Sequence, residues 1–182
     1  MRFLSALGLF SLALVAPAFA AEDKASGLAV NLSGDFVVEP TPGDGNFTAN
    51  FGIKSASDTP ANFEGEDYLC QVSFAPAPEN AALSAKEINA MVATPDWVNL
   101  AKDTMSVMFD FTEDSAFKLG DVNGHEFIAT PKAEGAENVR LVLSMLETTK
   151  GRTAISCVAD AADLEEALPV FRTIRDGVTP PA

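Results

Sequence analysis

Hydrophobic and polar residues alternate along several short stretches of the chain, and this alternation predicts β-strands. Such a stretch covers residues 28–38, where Gly34 and Asp35 are expected to make a bend or bulge. Two further stretches, 47–54 and 68–74, carry apolar side chains at every second position. Because successive side chains of a strand point to opposite faces, each stretch predicts a half-buried strand.

The spacing of apolar positions becomes helical after residue 83. Ser84 and Glu87 have the spacing of a capping box, which satisfies backbone donors in the first turn of a helix. Thr94 followed by Pro95 predicts the start of a second helix, because threonine is a good N-cap and proline fits the first helical position. The apolar residues expected on the buried faces of these helices are Ile88, Met91, Val92, Trp97, Ala101, Met105 and Met108.

Strands resume after Asp114. We predict a strand ending at Val122, a two-residue turn at Asn123 and Gly124, and a strand continuing to Thr130, because Asn-Gly is the preferred pair in such turns. Two long alternating stretches around 139–145 and 155–159 flank a turn at 149–151. A final amphipathic helix covers 164–174; Pro169 predicts that it starts late, near 165–166, or kinks.

The order of elements is three strands, two helices, about four strands and one helix. Antiparallel strands with helices inserted in the middle and at the end predict an α+β fold, in which helices cover the faces of an antiparallel sheet. We expect a single domain at 28–176, a flexible N-terminal segment at 21–27 and a flexible proline-rich tail at 177–182.

This order resembles the Mog1/PsbP-like fold. The resemblance covers about residues 28–176 and depends on five features: the order of elements, the helix around Trp97, the turn at 122–124, the strands flanking 150–152, and the closing helix with Phe171 and Ile174. It implies an α/β/α sandwich. Members of this fold are mostly accessory or binding proteins: PsbP proteins stabilise a photosynthetic metal cluster through protein contacts, and Mog1 binds a small GTPase. The resemblance therefore implies a non-catalytic binding module, and it supplies no site residues.

The first twenty residues have the order of a cleavable signal peptide. Arg2 precedes an uncharged apolar run from residue 3 to residue 15, and small residues end the segment at Ala18 and Ala20. The run is shorter than the ~20 residues of a membrane-spanning helix. We expect cleavage after Ala20, a periplasmic or secreted protein, and no stable membrane insertion after cleavage.

The net charge of the chain limits the classes of partner that it is expected to bind. The sequence has 26 acidic and 12 basic residues, a formal net charge of −14. Nucleic acid and anionic lipid both require Lys and Arg to neutralise phosphate, so neither is an expected partner. A basic protein surface or a cation remains compatible with this charge. No cofactor is expected.

Two cysteines, Cys70 and Cys157, lie on apolar faces of different predicted strands. An even number of cysteines in an oxidising compartment predicts a disulfide. The bond would join the third strand to the penultimate element and would be buried.

Few side chains in the sequence are candidates for catalysis or metal binding. His125 is the only histidine, and Asp121, Asn123, His125 and Glu126 form a candidate cation-binding group with oxygen ligands suited to Ca²⁺. An ordinary polar turn explains the same residues, and the acids at Glu64, Glu66 and Asp67 are expected in a solvated loop. We expect His125 to face water beside its turn, and its replacement by alanine to change stability by less than about 0.5 kcal/mol.

No nucleophile motif is present, and no catalytic residue is assigned. Met91, Trp97, Met105 and Met108 form a candidate partner surface, although packing against the sheet would also explain them. The favoured function is an exported, non-enzymatic accessory or protein-binding domain whose partner is unknown. The alternatives are a small hydrolase that uses carboxylates and His125, or a Ca²⁺-type cation-binding protein.

Overall fold

The computed structural model describes residues 19–43, 45–57 and 59–182. The predicted signal segment therefore lies outside the described residues, except for Phe19 and Ala20.

Ten strands, three α-helices and one short 3₁₀ helix make up the described chain. The strands are β1 (Phe19–Asp23), β2 (Leu28–Leu32), β3 (Phe36–Pro40), β4 (Ala49–Ser55), β5 (Cys70–Pro76), β6 (Phe109–Leu119), β7 (Val122–Pro131), β8 (Val139–Glu147), β9 (Gly151–Asp160) and β10 (Val178–Thr179). The helices are α1 (Ala85–Val92), α2 (Pro95–Met105) and α3 (Leu164–Asp176), and the 3₁₀ helix is Pro78–Ala82.

Two antiparallel sheets contain these strands. The large sheet has seven strands in the order β3-β4-β5-β9-β8-β7-β6, and the small sheet has the order β1-β2-β10. In the large sheet β5 and β9 are neighbours, and Cys70 lies directly opposite Cys157. Strands from both halves of the sequence thus meet in the middle of one sheet.

Helices cover both faces of the large sheet, which confirms the predicted α/β/α arrangement. On one face, Ala167, Phe171 and Ile174 of α3 belong to the larger apolar core. On the other face, a second core contains Ile88 and Val92 of α1, Trp97 and Val98 of α2, and the sheet residues Phe127, Leu143 and Met145. Alternation along β7 and β8 supplies side chains to both cores.

Both predicted helix starts are confirmed. Ser84 accepts a hydrogen bond from the Glu87 backbone N–H, and the Glu87 carboxylate accepts one from the Ser84 backbone N–H, which completes the capping box of α1. Thr94 caps α2 by accepting from the Trp97 N–H, with Pro95 as the first helical residue. α3 starts at Leu164 and contains Pro169 in its interior, slightly earlier than the predicted start.

The predicted turn at Asn123 and Gly124 is wrong. The hairpin between β6 and β7 turns at Gly120 and Asp121, where Gly120 has a φ of +56°. Gly124 lies inside β7 and is covered by the Phe117 ring, so a side chain has no room there: a Cβ on Gly124 would come within 2.5 Å of the ring. The backbone N–H and the side-chain amide of Asn123 both donate hydrogen bonds to Asn89 of α1. The Asn-Gly pair is therefore explained by packing and a helix contact rather than by turn geometry.

Both ends of the described chain were expected to be flexible, but each of them forms a strand that pairs with β2. Residues 19–23 form β1, antiparallel to β2, although residues 21–27 were expected to be flexible. The tail residues Val178 and Thr179 pair with the other edge of β2, and Pro180 and Pro181 are buried. The bend at Gly34 and Asp35 separates two strands that belong to different sheets.

Candidate functional site

A groove of about 600 Å³ lies between the loop at residues 59–64 and the first half of α3. Its base is formed where β5 begins and β9 ends. The residues that line it are Thr59, Pro60, Ala61, Asn62, Phe63, Glu64, Leu69, Val158, Ala159, Asp160, Asp163, Glu166, Ala167, Val170 and Phe171. This volume lies within the range of ~300–1,000 Å³ typical of ligand pockets.

The floor of the groove is apolar and firmly held. Leu69, Ala159, Ala167 and Phe171 are buried in the larger core. The Val158 backbone N–H donates a hydrogen bond of 3.2 Å to the Leu69 carbonyl. Each of these two residues is next to a cysteine of the disulfide, so the bond fixes the base of the groove covalently.

The loop at residues 59–64 forms the outer wall and is attached at both ends. The Ser55 hydroxyl donates to the Thr59 carbonyl at 2.8 Å and accepts from the Thr59 N–H at 3.2 Å. Asn62 Nδ2 donates to the Asp67 carbonyl at 2.8 Å. Pro60 and Phe63 of this loop are only half-buried and line the groove, so apolar surface remains available for contact.

Carboxylates form the rim. Glu64, Asp163 and Glu166 are exposed, Asp160 is half-buried, and no lysine or arginine lines the groove. Asp163 is the N-cap residue of α3, but its side chain makes no capping hydrogen bond. Acidic side chains near a helix N-terminus also compensate the helix dipole, which amounts to roughly half a positive charge. Four carboxylates exceed that compensation and leave the rim negative.

The inner wall, α3, is attached to the sheet by a buried ion network. Glu126 of β7 is 2% exposed. Its carboxylate accepts hydrogen bonds from Arg172 Nε at 3.0 Å, Arg172 Nη2 at 2.8 Å and Arg175 Nη1 at 2.8 Å. The hydrogen bond to Glu126 raises the pKa of Arg172. The guanidinium of Arg175 also lies 4.4 Å from the centre of the Phe117 ring.

The predicted disulfide is present between Cys70 and Cys157. Their sulfur atoms are 2.05 Å apart, their Cα atoms are 4.1 Å apart, and both residues are almost completely buried. The bond is a direct cross-strand link within the large sheet.

The structure does not bring the candidate cation-binding residues together. Glu126 points toward α3, whereas His125 points toward α2 on the opposite face of the sheet. Asp121 is exposed in the turn, and Asn123 donates to the Asn89 carbonyl at 2.9 Å. Within residues 19–43, 45–57 and 59–182, no three histidine, cysteine, aspartate or glutamate side chains are grouped so that they could hold a metal ion.

The expectation that His125 faces water is wrong because the turn is located earlier than predicted. His125 is 9% exposed, and its ring lies 6.0 Å from the rings of both Trp97 and Phe127, measured between centroids. Its buried Nδ1 has no hydrogen-bond partner in the described structure. Burial lowers the pKa of His125; the neighbouring Asp114 opposes this shift, and Lys102 adds to it.

The four residues of the candidate partner surface have different environments. Trp97 is 7% exposed, and Met91 and Met105 pack partly against the same core. Met108 lies after the end of α2 and is 57% exposed. Packing explains the first three, and Met108 is exposed beside Val107.

Sequence reasoning did not find the groove. Glu64 was expected in a solvated loop, and it is exposed there, but its position opposite α3 depends on the tertiary fold. Asp160, Asp163 and Glu166 lie close together in the sequence around the start of α3. The signal that could have drawn attention to them is this run of acids beside the half-exposed apolar residue Val170.

No helix in the described part of the chain is long and apolar enough to span a membrane. No model of a known protein family matches the chain. No curated protein matches its sequence.

Three solved structures resemble the chain at 9–10% sequence identity. Cyanobacterial PsbP (CyanoP) from Synechocystis sp. PCC 6803, at 9% identity, has a TM-score of 0.55 over 96% of this chain and 98% of its own. A Pseudomonas aeruginosa protein of unknown function, at 10% identity, has a TM-score of 0.46 over 90% and 96%. The Saccharomyces cerevisiae Ran-binding protein Mog1p, at 9% identity, has a TM-score of 0.47 over 90% and 93%. The likeness to CyanoP over nearly the full length of both chains confirms that this chain has the Mog1/PsbP-like fold.

Proposed function

We propose that this chain is an exported, non-enzymatic accessory domain that binds a protein partner through the groove between α3 and the loop at 59–64. The observation that carries this proposal is the lining: a buried apolar floor continues into the half-exposed side chains of Pro60, Phe63 and Val170. Concave, partly exposed apolar surface with a few polar groups is typical of a binding site.

The chemistry of the groove also favours binding. Its ionisable side chains are four carboxylates. His125, the only histidine of the chain, is on the other face of the sheet. The groove thus offers contact surface and charge, while the imidazole that a histidine-dependent hydrolase would use is located elsewhere.

Export is the second part of the proposal, and it depends on the first twenty residues. A charged residue, an apolar run and small residues up to Ala20 have the order of a signal peptide. A buried disulfide also suits an oxidising compartment. Intact-mass measurement on protein recovered from the periplasm or medium should show loss of residues 1–20. A full-length mass in a washed membrane fraction would contradict export by cleavage.

Site-specific cross-linking tests the binding role in the native cell. A photo-reactive amino acid replaces Ala61, an exposed residue that lines the groove, and a control chain carries it at Asp103, an exposed position of α2 on the other face of the sheet. We expect a discrete higher-mass adduct from position 61 only. The adduct should disappear when Val170→Glu places a charge on the groove wall of the same chain.

Phe63→Ser is a second wall variant, used if Val170→Glu fails to fold; thermal melts of the purified variants decide this. Equal adducts from both probe positions, or an adduct that both wall variants leave intact, would refute binding through the groove.

A further inference from the structure

Among the described residues, no lysine or arginine forms an ion pair with the acidic rim of the groove. Seven ion pairs link charged groups in the described part of the chain, and none includes Glu64, Asp160, Asp163 or Glu166. Other acids of the fold, such as Glu126 and Glu147, are paired with arginine. The rim carboxylates are therefore free to pair with charges supplied from outside.

The charges of α3 are distributed unevenly along the helix. Glu165 and Glu166 are in its first turn, whereas Arg172 and Arg175 are in its second half. Both arginines bind Glu126, so they are held on the sheet side of the helix by a buried carboxylate. The half of α3 that faces the groove is left with negative charge and apolar side chains only.

A simple metal ion does not fit this arrangement. Calcium requires about six to eight converging oxygen ligands, and no group of three acidic, histidine or cysteine side chains among the described residues could hold a metal. The carboxylates instead surround an apolar floor that includes Leu69, Ala167 and Phe171. A ligand that matches both the carboxylate rim and the apolar floor must present spaced positive charges and an apolar face in one molecule.

We propose that the occupant of the groove is a basic amphipathic segment of the partner protein, whose apolar side chains contact the floor while its Lys and Arg side chains pair with the rim. This inference rests on the proposed function, because it names the partner chemistry of the same groove. Insertion of an apolar helix face into a groove is a common mode of peptide recognition. Complementary charge on the rim accelerates association and selects the orientation of the segment.

Fluorescence anisotropy with labelled synthetic peptides tests the charge requirement. The probe is an 18-residue Leu/Lys peptide with all leucines on one helical face; one control peptide has the same composition in scrambled order, and another has glutamate in place of every lysine. We expect binding of the amphipathic cationic peptide only, with weaker binding as salt is raised, because exposed charges are screened.

Two double variants separate local from general electrostatics. Asp163→Asn with Glu166→Gln removes two rim charges, and we expect affinity for the cationic peptide to fall roughly three- to tenfold at low salt. Asp96→Asn with Asp103→Asn removes the same charge from exposed positions of α2, on the other face of the sheet, and should leave affinity unchanged. Equal losses in both variants, or equal binding of the scrambled or glutamate peptide, would overturn the proposed rim recognition.

The cross-linking assay at position 61 distinguishes failure of this inference from failure of the proposed function. If the adduct survives Asp163→Asn with Glu166→Gln at full yield but disappears in Val170→Glu or Phe63→Ser, a protein binds the groove through apolar contacts alone and the basic segment is refuted. If none of the variants changes the adduct, the groove is not the binding site.

Discussion

Replacing Glu126 by glutamine should destabilise the protein strongly, because this carboxylate joins α3 to the sheet. The substitution keeps the shape of the side chain and removes the charge that accepts three hydrogen bonds from Arg172 and Arg175. A hydrogen bond to a buried charged group contributes about 1.5–3 kcal/mol, and breaking a buried ion pair costs about 3–5 kcal/mol.

The exposure of the two arginines sets the expected size of the effect. The Arg172 side chain is 44% exposed, so in the variant water replaces much of the hydrogen bonding that Glu126 provides. The Arg175 side chain is only 13% exposed, and in the variant it keeps Asp176 as its one acidic partner. We therefore expect Glu126→Gln to lower the free energy of unfolding by about 2–3 kcal/mol, just below the range for fully buried pairs.

Urea unfolding followed by fluorescence measures this change. Trp97 is the only tryptophan and lies in the core on the opposite face of the sheet, so its emission reports unfolding of the whole domain and not the loss of one contact. Glu134→Gln, at an exposed loop position, is the matched control. An unfolding free energy for Glu126→Gln within about 0.5 kcal/mol of this control would refute a stabilising role for the network.

Three further predictions concern the second core and the disulfide. Because the fold lowers the pKa of His125, the unfolded chain takes up this proton at higher pH than the folded chain. The free energy of unfolding should therefore fall as pH drops below about 6.5, by at most about 1.4 kcal/mol per pH unit. His125→Gln should remove this part of the pH dependence, and an identical pH dependence in the variant and the parent chain would contradict the prediction. Trp97→Ala should cost about 3–5 kcal/mol in urea melts followed by circular dichroism. Replacing Cys70 and Cys157 together by alanine should cost roughly 4–5 kcal/mol in the same melts. Thiol titration of the unsubstituted protein, denatured without a reducing agent, should find no free thiol.

Much of the architecture could be predicted from the sequence because local rules specify it. Ser84 with Glu87, and Thr94 with Pro95, determine helix starts within a few residues, and the structure uses them as predicted. The hairpin was misplaced because Asn-Gly is a strong local signal, and only the position of Phe117 over Gly124 shows that the glycine serves packing. A tertiary contact between a ring and a backbone is invisible to local patterns.

The same misplacement explains the error on His125. Once the turn moves to Gly120, His125 becomes a strand residue, and alternation along β7 directs it inward while Glu126 points to the other face. The groove could not be predicted at all, because the loop at 59–64 and α3 are far apart in sequence. Of the residues that line it, the sequence indicated only apolar positions of α3 and Glu64, which was expected in a solvated loop.

The small sheet has a consequence for the order in which the domain can fold. β2 has one neighbour, β1, that precedes it directly, and another, β10, that is made only after every other strand. Its second edge stays open until residues 178–179 arrive, and pairing across such a sequence distance is slow. A chain that has emerged from its N-terminus but still lacks these residues would present an unpaired edge, a surface to which other chains can add strands. Completion of the small sheet should thus be among the last steps of folding.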